Sequence, residues 1–246
     1  MSVDTEHDLV CLKRVGSVVR EALDGMRQSL IPGITTGELD TIGEMVLRSH
    51  GAKSAPQLEY GFPGTNLISI NDEIVHGVPG RRVVQPGDLV TIDVTAELDD
   101  FIADAAMTIT VEPACELYQD LRDCAETALS DALAVARTGE PIHVIGRAVE
   151  ERVREFGFAV IPDLGGHGVG RSIHEDPMVL NFYDERDRAP LTEGLVITVE
   201  PIVTSGATGW YEADDGWTVK SIDGSPSAHF EHTIVITQDS PIILTA

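Results

Sequence analysis

The sequence predicts an α+β fold in which an antiparallel sheet carries two helix pairs related by a pseudo-twofold axis. Three observations lead there: two amphipathic helix pairs, an aliphatic strand ending in an acid after each pair, and matched spacing in the two halves. From Leu9 to Leu30 the apolar residues Leu12, Val15, Val19, Leu23, Met26 and Leu30 recur at the spacing of one helical face. Pro32 and Gly33 end that helix. Thr35 and Thr36, followed by Glu38, form an N-cap region for a second helix that runs to His50 and stops at Gly51. The same events recur later. Leu117–Arg137 is periodic, Thr138–Pro141 breaks it, and Ile142–Phe156 makes a shorter helix ending at Gly157.

After each pair comes a strand of the same design. Pro86-Gly87-Asp88-Leu89-Val90-Thr91-Ile92-Asp93 parallels Glu193-Gly194-Leu195-Val196-Ile197-Thr198-Val199-Glu200, with the glycine and the acid at the same interval. Alternation sets Asp93 with Thr91 on one face and Glu200 with Thr198 on the corresponding face. Nearly the same length of chain separates Gly51 from Asp93 as separates Gly157 from Glu200. The expectation is one domain over 1–246, with pseudo-repeats at about 9–110 and 115–236 and both acid-bearing strand ends meeting at the pseudo-axis.

The chain has 246 residues, 42% of them hydrophobic and 24% charged, which suits one large globular domain with a real core. Seventeen basic residues against 41 acidic ones give a net charge of −24, which repels phosphate backbones and anionic lipid. Nucleic acid and membrane are therefore excluded as partners. Met1–Asp8 carries acids where a signal peptide needs bases, and no apolar run approaches the roughly 18 residues of a membrane span, so a cytoplasmic protein is expected. Cys11, Cys115 and Cys124 form no CxxC pair, which argues for packing roles rather than disulfides or a thiolate zinc site.

Glu97-Leu98-Asp99-Asp100 has the length and polarity of a four-residue hairpin loop, and such a loop pairs position 93 with position 104. Directly opposed residues share a face with Cβ atoms about 5 Å apart, so the two carboxylates need a cation between them. A solvated acidic hairpin is the alternative. Gly165-Gly166-His167-Gly168-Val169-Gly170 presents His167 with little else around it, and without a following helix or a P-loop lysine it is a weak phosphate site. His174 is followed by Glu175-Asp176-Pro177. Glu200 ends an aliphatic strand before Pro201, and Glu231 shares a strand face with Thr233 and Val235 while His232 faces away. Singly each has an ordinary structural reading. Together, Asp93, Asp104, His167, Glu200 and Glu231 offer one imidazole and four carboxylates, a fitting donor set for two adjacent divalent ions.

Asn71-Asp72-Glu73-Ile74-Val75-His76-Gly77-Val78-Pro79, the Asp93 and Asp104 pair, His167-Gly168-Val169-Gly170 through His174-Glu175, Glu200-Pro201 and Glu231-His232-Thr233 stand in the order and spacing of the type I methionine aminopeptidase family. The chain resembles that family from about Leu9 to Ile236. The resemblance implies the pita-bread fold, a dinuclear metal site that activates water, and hydrolytic removal of the initiator methionine from nascent polypeptides. It implies two divalent ions, manganese, iron, cobalt or zinc, with Asp93 the bidentate ligand of one and His167 a ligand of the other. Asp104 and Glu231 become the bridges, and Glu200 the ligand that also handles the proton. By the same resemblance His174 contacts the scissile carbonyl, His76 lies beside the leaving amide, and Asn71 and Ser227 help hold a monovalent cation. Peptide N-termini, at the ribosome, are the implied partners of a monomeric enzyme.

A methionine pocket needs a snug apolar wall, for which Phe62, Leu67 and Trp217 are the candidates, with Tyr60 nearby. Three positions depart from the usual family pattern. Leu67 stands where cysteine is common, Ile173 where phenylalanine precedes the second histidine, and Glu59 where an aromatic is frequent. An acid lining an apolar pocket is costly, so Glu59 is expected to point outward, and the pocket is expected to be reshaped. An X-Pro aminopeptidase or prolidase is the nearest rival, disfavoured because those relatives carry a large N-terminal domain and little chain precedes Asp93 here. A metal-free binding module of the same fold would have lost ligands. A mononuclear iron oxygenase would leave three acids without a role. His7, His50, His143, His229 and His232 have no partner in this scheme and are assigned solvated or locally hydrogen-bonded roles. Asp184–Asp187 is expected to be an exposed loop.

Overall fold

The computed structural model describes residues 1–246. Helices α1 (Glu6–Ser29) and α2 (Thr36–Ser49) each open on a capping box, Thr5 with Asp8 and Thr35 with Glu38. The first box explains why α1 starts before Leu9. Its reciprocal bonds satisfy N–H groups that the apolar periodicity does not report. The strands β1 (Lys53–Ser54), β2 (Leu67–Ile70), β3 (Glu73–Val75), β4 (Leu89–Leu98) and β5 (Phe101–Thr110) follow, with the short helix α3 (Ala55–Tyr60) after β1. β4 pairs antiparallel with β5, β2 and β1. Leu12, Val15, Val19, Leu23 and Met26 of α1 form one core cluster with Ile92, Val94 and Ala105 of this sheet. Burial of that stripe at roughly 25 cal/mol per Å² is what fixes the helix pair on the sheet.

The second half repeats the plan. Helices α4 (Glu116–Val135) and α5 (His143–Glu155) precede β6 (Ala159–Val160), β7 (Gly166–Gly168), β8 (Glu175–Val179), β9 (Val196–Val199) and β10 (Ile202–Thr204). β11 (Trp210–Glu212), β12 (Val219–Ser221), β13 (Ser227–His229), β14 (His232–Val235) and β15 (Ile242–Ile243) complete the chain. Five strands run β15-β14-β9-β7-β8, three run β13-β10-β6, and β11-β12-β3 ties the second half to the first. A separate core cluster joins Leu121, Ala125 and Ala128 of α4 to Ile145 and Val149 of α5, Ile197 and Val199 of β9 and Ile234 of β14. Each helix pair therefore covers its own sheet; Glu200 follows the end of β9 as expected, but β4 runs on past Asp93 to Leu98, so that acid faces the seam from mid-strand rather than from a strand end. Thr233 stitches that seam: its hydroxyl donates to the Asp104 carbonyl at 2.7 Å and accepts the Asp104 N–H at 2.8 Å.

The predicted four-residue hairpin loop is corrected. Glu97 and Leu98 continue β4, and the turn is only Asp99-Asp100, both at positive φ (54° and 66°), the two-residue form that matches strand twist. Asp93 is consequently opposite Ala106, and Asp104 opposite Thr95. The two carboxylates still share a face, but as diagonal rather than direct neighbours. Asp and Asn tolerate left-handed backbone better than other residues with a Cβ, a signal that loop polarity alone conceals.

Candidate metal centre and active site

The seam opens into a cavity of about 260 Å³ lined by Asp93, Asp104, His167, Glu200 and Glu231, with His76 and His174 at its rim. No lysine or arginine lines it. Asp93 arrives from the middle of β4 and Asp104 from β5. Glu200 leaves the end of β9, and Glu231 sits between β13 and β14 with its N–H on the Ala106 carbonyl at 3.0 Å. His167 is the centre of β7, where the flanking glycines permit close approach: a Cβ on Gly168 would lie 2.2 Å from the Asp176 carbonyl oxygen, and one on Gly166 2.4 Å from that of Thr198.

Each donor atom is oriented by its surroundings. His167 Nδ1 lies 2.9 Å from the Gly168 carbonyl, which only accepts, so Nδ1 carries the proton and Nε2 presents a free lone pair. That Nε2 is 3.5 Å from Glu200 Oε1. Thr95 donates to Asp104 Oδ1 at 2.8 Å, and Thr198 donates to Glu200 Oε1 at 3.1 Å while accepting the His167 N–H at 3.0 Å. Ligating atoms of Asp104, His167 and Glu231 all fall within 4.8 Å of one another. Asp93 Oδ1 and Glu231 Oε1 are buried without any hydrogen-bond partner.

The electrostatics agree with the geometry. Burial raises the pKa of all four carboxylates. Asp93 goes well above the usual range, with Asp104 and Glu200 adding repulsion. Glu231 does the same, with Asp104, Glu200 and Asp93 adding to it. Asp104 rises against the lowering effect of His167, and Glu200 is pushed up to about 7 by burial and by Asp104, again opposed by His167. Four mutually repelling acids and two orphaned oxygens, with one imidazole lone pair aimed among them, fit divalent cations coordinated by oxygen and nitrogen.

His174 is held near neutral-only behaviour, its pKa lowered to about 4 by desolvation and by His167 and His76. Its ring centroid is 4.3 Å from that of His167. His76 occupies the left-handed region at φ 60° and reaches solvent at the rim, while surrounding protein still lowers its pKa. Phe62, Leu67 and Trp217 line the apolar end, with the Phe62 and Trp217 rings edge to face at 5.3 Å. Leu67 lies directly opposite Asp93 in the ladder. Glu59 does point outward, and its carboxylate accepts the Ile173 N–H at 3.1 and 3.2 Å. Asn71 and Ser227 adjoin through a main-chain bond of 3.0 Å, and both ends of the Asn71 amide are taken by Asp88 and Leu89.

One residue was misassigned. His229, expected to be solvated or locally bonded, is 2% exposed and lines the cavity, with Nε2 3.5 Å from Glu200 Oε2 and 3.7 Å from Glu231 Oε2. Both ring nitrogens lack a hydrogen-bond partner, and burial lowers its pKa to about 3, with His76 and His167 contributing. Its offset of two from Glu231 was the available signal, since residues two apart in extended chain share a face. The other unassigned histidines stay local: His50 meets Glu21 at 2.9 Å and His232 meets Thr245 at 2.9 Å.

The sequence profile of metallopeptidase family M24 matches residues 10–238. The chain belongs to this family. Among M24 relatives, it is 44% identical to methionine aminopeptidase 2 of Bacillus subtilis, over all of this chain and 99% of that one. It is 36% identical to methionine aminopeptidase of Clostridium perfringens, over 98% of this chain and 96% of that one. The crystal structure of methionine aminopeptidase from Thermotoga maritima superimposes with a TM-score of 0.96 at 33% identity, covering 100% and 99% of the two chains. Prolidase from Pyrococcus furiosus shares the M24 pita-bread fold with a TM-score of 0.79 at 22% identity, over 99% of this chain and 65% of that one.

Proposed function

We propose that this M24 enzyme is a methionine aminopeptidase, a metal-dependent exopeptidase that hydrolytically removes the N-terminal methionine of polypeptides. The observation that carries it is the convergence of Asp93, Asp104, His167, Glu200 and Glu231, from both halves of the chain, on one cavity that also has an apolar end. Asp93, Asp104, His167, Glu200 and Glu231 would hold two divalent ions, from among manganese, iron, cobalt and zinc. When bound, these supply Lewis acidity that ionises water near neutral pH.

The protein's own groups do the rest. Phe62, Leu67 and Trp217 hold the methionine side chain, which sets the first peptide bond beside the carboxylates. His174 donates to the carbonyl oxygen as negative charge develops there, a contact worth about 3 kcal/mol in comparable hydrolases. Glu200 takes the proton released at the attacking water and returns it to the departing amine. His76 orients that amine. With two dications held there to offset the four carboxylates, the site accepts a free α-amine but not a blocked terminus, which makes the reaction exolytic.

A monovalent cation is proposed at the junction of Asn71 and Ser227, where the Ser227 N–H meets the Asn71 carbonyl oxygen. The enzyme is placed in the cytoplasm as a monomer acting on nascent N-termini at the ribosome. Because its charge of −24 opposes contact with ribosomal RNA, the meeting is with the emerging chain itself. No helix is long and apolar enough to cross a membrane.

The test strips metal by dialysis against chelator, then restores one divalent ion at a time while Met-Ala-Ser and Ala-Pro-Ala are offered. Cleavage of the first peptide only, and only after restoration, is expected. Equal trimming by the stripped protein, or preference for Ala-Pro-Ala, would overturn the assignment.

A further inference from the structure

The last residues of α3 touch the segment that carries His174 at two consecutive points. The Glu59 carboxylate accepts the Ile173 N–H through both oxygens, at 3.1 and 3.2 Å. The next residue, Tyr60, places its hydroxyl 2.7 Å from Nδ1 of the next residue, His174. Gly61 follows at φ 73°, the left-handed turn that ends α3. The His167 ring also flanks His174, with ring centroids 4.3 Å apart.

We propose that Glu59 and Tyr60 form a clasp that locks His174 with its N–H on Nε2, and that Tyr60 is thereby a positioning residue for the cleavage step. This rests on the reading above that His174 donates to the scissile carbonyl. An imidazole with one N–H can donate at one nitrogen only if it accepts at the other. The phenol is the hydrogen-bond partner of Nδ1, and a phenol donating there forces the ring proton to Nε2. The reverse bond, from Nδ1–H to the phenol oxygen, would leave Nε2 as an acceptor facing an electron-rich carbonyl oxygen, which it cannot stabilise. Burial and the adjacent Glu59 raise the Tyr60 pKa, so the phenol keeps the proton it must donate.

Glu59 fixes the ring's distance while Tyr60 fixes its tautomer. The clasp also joins two of the three departures from the family pattern. Glu59 holds residue 173 by its main-chain N–H, so the acid is satisfied outside the pocket and the contact does not depend on the isoleucine side chain.

The experiment uses full-length protein loaded with zinc. In ¹⁵N-histidine NMR spectra, the wild type is expected to show His174 with a protonated Nε2 and an unprotonated Nδ1, and Tyr60→Phe is expected to mix the two tautomers. On Met-Ala-Ser, Tyr60→Phe should lower kcat about five- to tenfold, the worth of one positioning hydrogen bond, with KM and zinc retention within about twofold. Glu59→Ala should lower kcat by a smaller factor and broaden the His174 signals. A protonated Nδ1 in the wild type, or Tyr60→Phe with full kcat while His174→Ala is impaired, would overturn the clasp. Full activity in His174→Ala with the tautomer shift intact in Tyr60→Phe would instead remove the oxyanion role on which its catalytic meaning depends.

Discussion

Glu200 makes the stability of the metal-free enzyme depend on pH in a calculable way. Its carboxyl is pushed from an ordinary 4.5 up to about 7 by burial and by Asp104. An acid whose pKa is raised on folding costs nothing while both states are protonated. The cost grows as pH passes the unfolded value, and it is complete once pH exceeds the folded one. Between pH 5 and pH 8 the additional cost from this one group is about 2–3 kcal/mol, which for a chain of this size is a fall in Tm of about 5–10 °C.

Two histidines, His229 buried and His174 at the rim, pull the other way. With pKa values lowered to about 3 for His229 and about 4 for His174, the folded protein loses stability as pH falls below the unfolded value of 6.5. The measurement is therefore a difference: thermal unfolding of chelator-treated wild type and Glu200→Gln at pH 5 and pH 8, followed by circular dichroism. The wild type should lose ground to the variant by the stated amount as pH rises. Divalent metal at about a hundred times its Kd should return about 2.7 kcal/mol to the wild type. If the Tm gap between the two proteins is the same at both pH values, Glu200 titrates normally and the picture of a crowded, desolvated acid is wrong.

Three further outcomes are expected. Thr95→Val removes the 2.8 Å donor to buried Asp104 Oδ1 and should weaken divalent-ion binding about tenfold by calorimetry, whereas unchanged affinity would show that this bond orients nothing. Phe62→Ala empties the wall that meets Trp217 and should cost about 3 kcal/mol of stability while raising KM for Met-Ala-Ser more than it lowers kcat; a pure kcat defect would contradict its place in the pocket. Gly168→Ala drives a Cβ into the Asp176 carbonyl at 2.2 Å and should part β7 from β8, at a cost of about 2–3 kcal/mol, with metal content by elemental analysis falling alongside Tm.

How much of this could be read in advance varied with the kind of signal. The helix pairs were legible because Leu12, Val15, Val19 and Leu23 keep a period and Thr35 with Glu38 caps locally. The four acids and His167 were legible as a set, because charged residues on aliphatic strands need a reason to be there. The Asp93 register was not. It depended on two left-handed aspartates in a turn whose polarity suited a longer loop equally well. His229 was missed although its offset of two from Glu231 signals a shared face; its other partner, Glu200, comes from a different strand, which a pattern read from one segment does not show. Glu59 and Ile173 looked like independent oddities for the same reason. Their contact joins residues far apart in the chain, and no local periodicity encodes it.

Leu67 and Asp93 occupy one rung of the β2–β4 ladder. Side chains so placed stand about 5 Å apart on the same face, and so the wall proposed to meet a substrate's first residue is also the neighbour of a proposed metal ligand. Appetite and ion are thus geared together. A mutation that widens the mouth for a bulkier terminus shifts the carboxylate's packing too, and lineages drifting toward a new diet would have to retune their hold on metal in the same step.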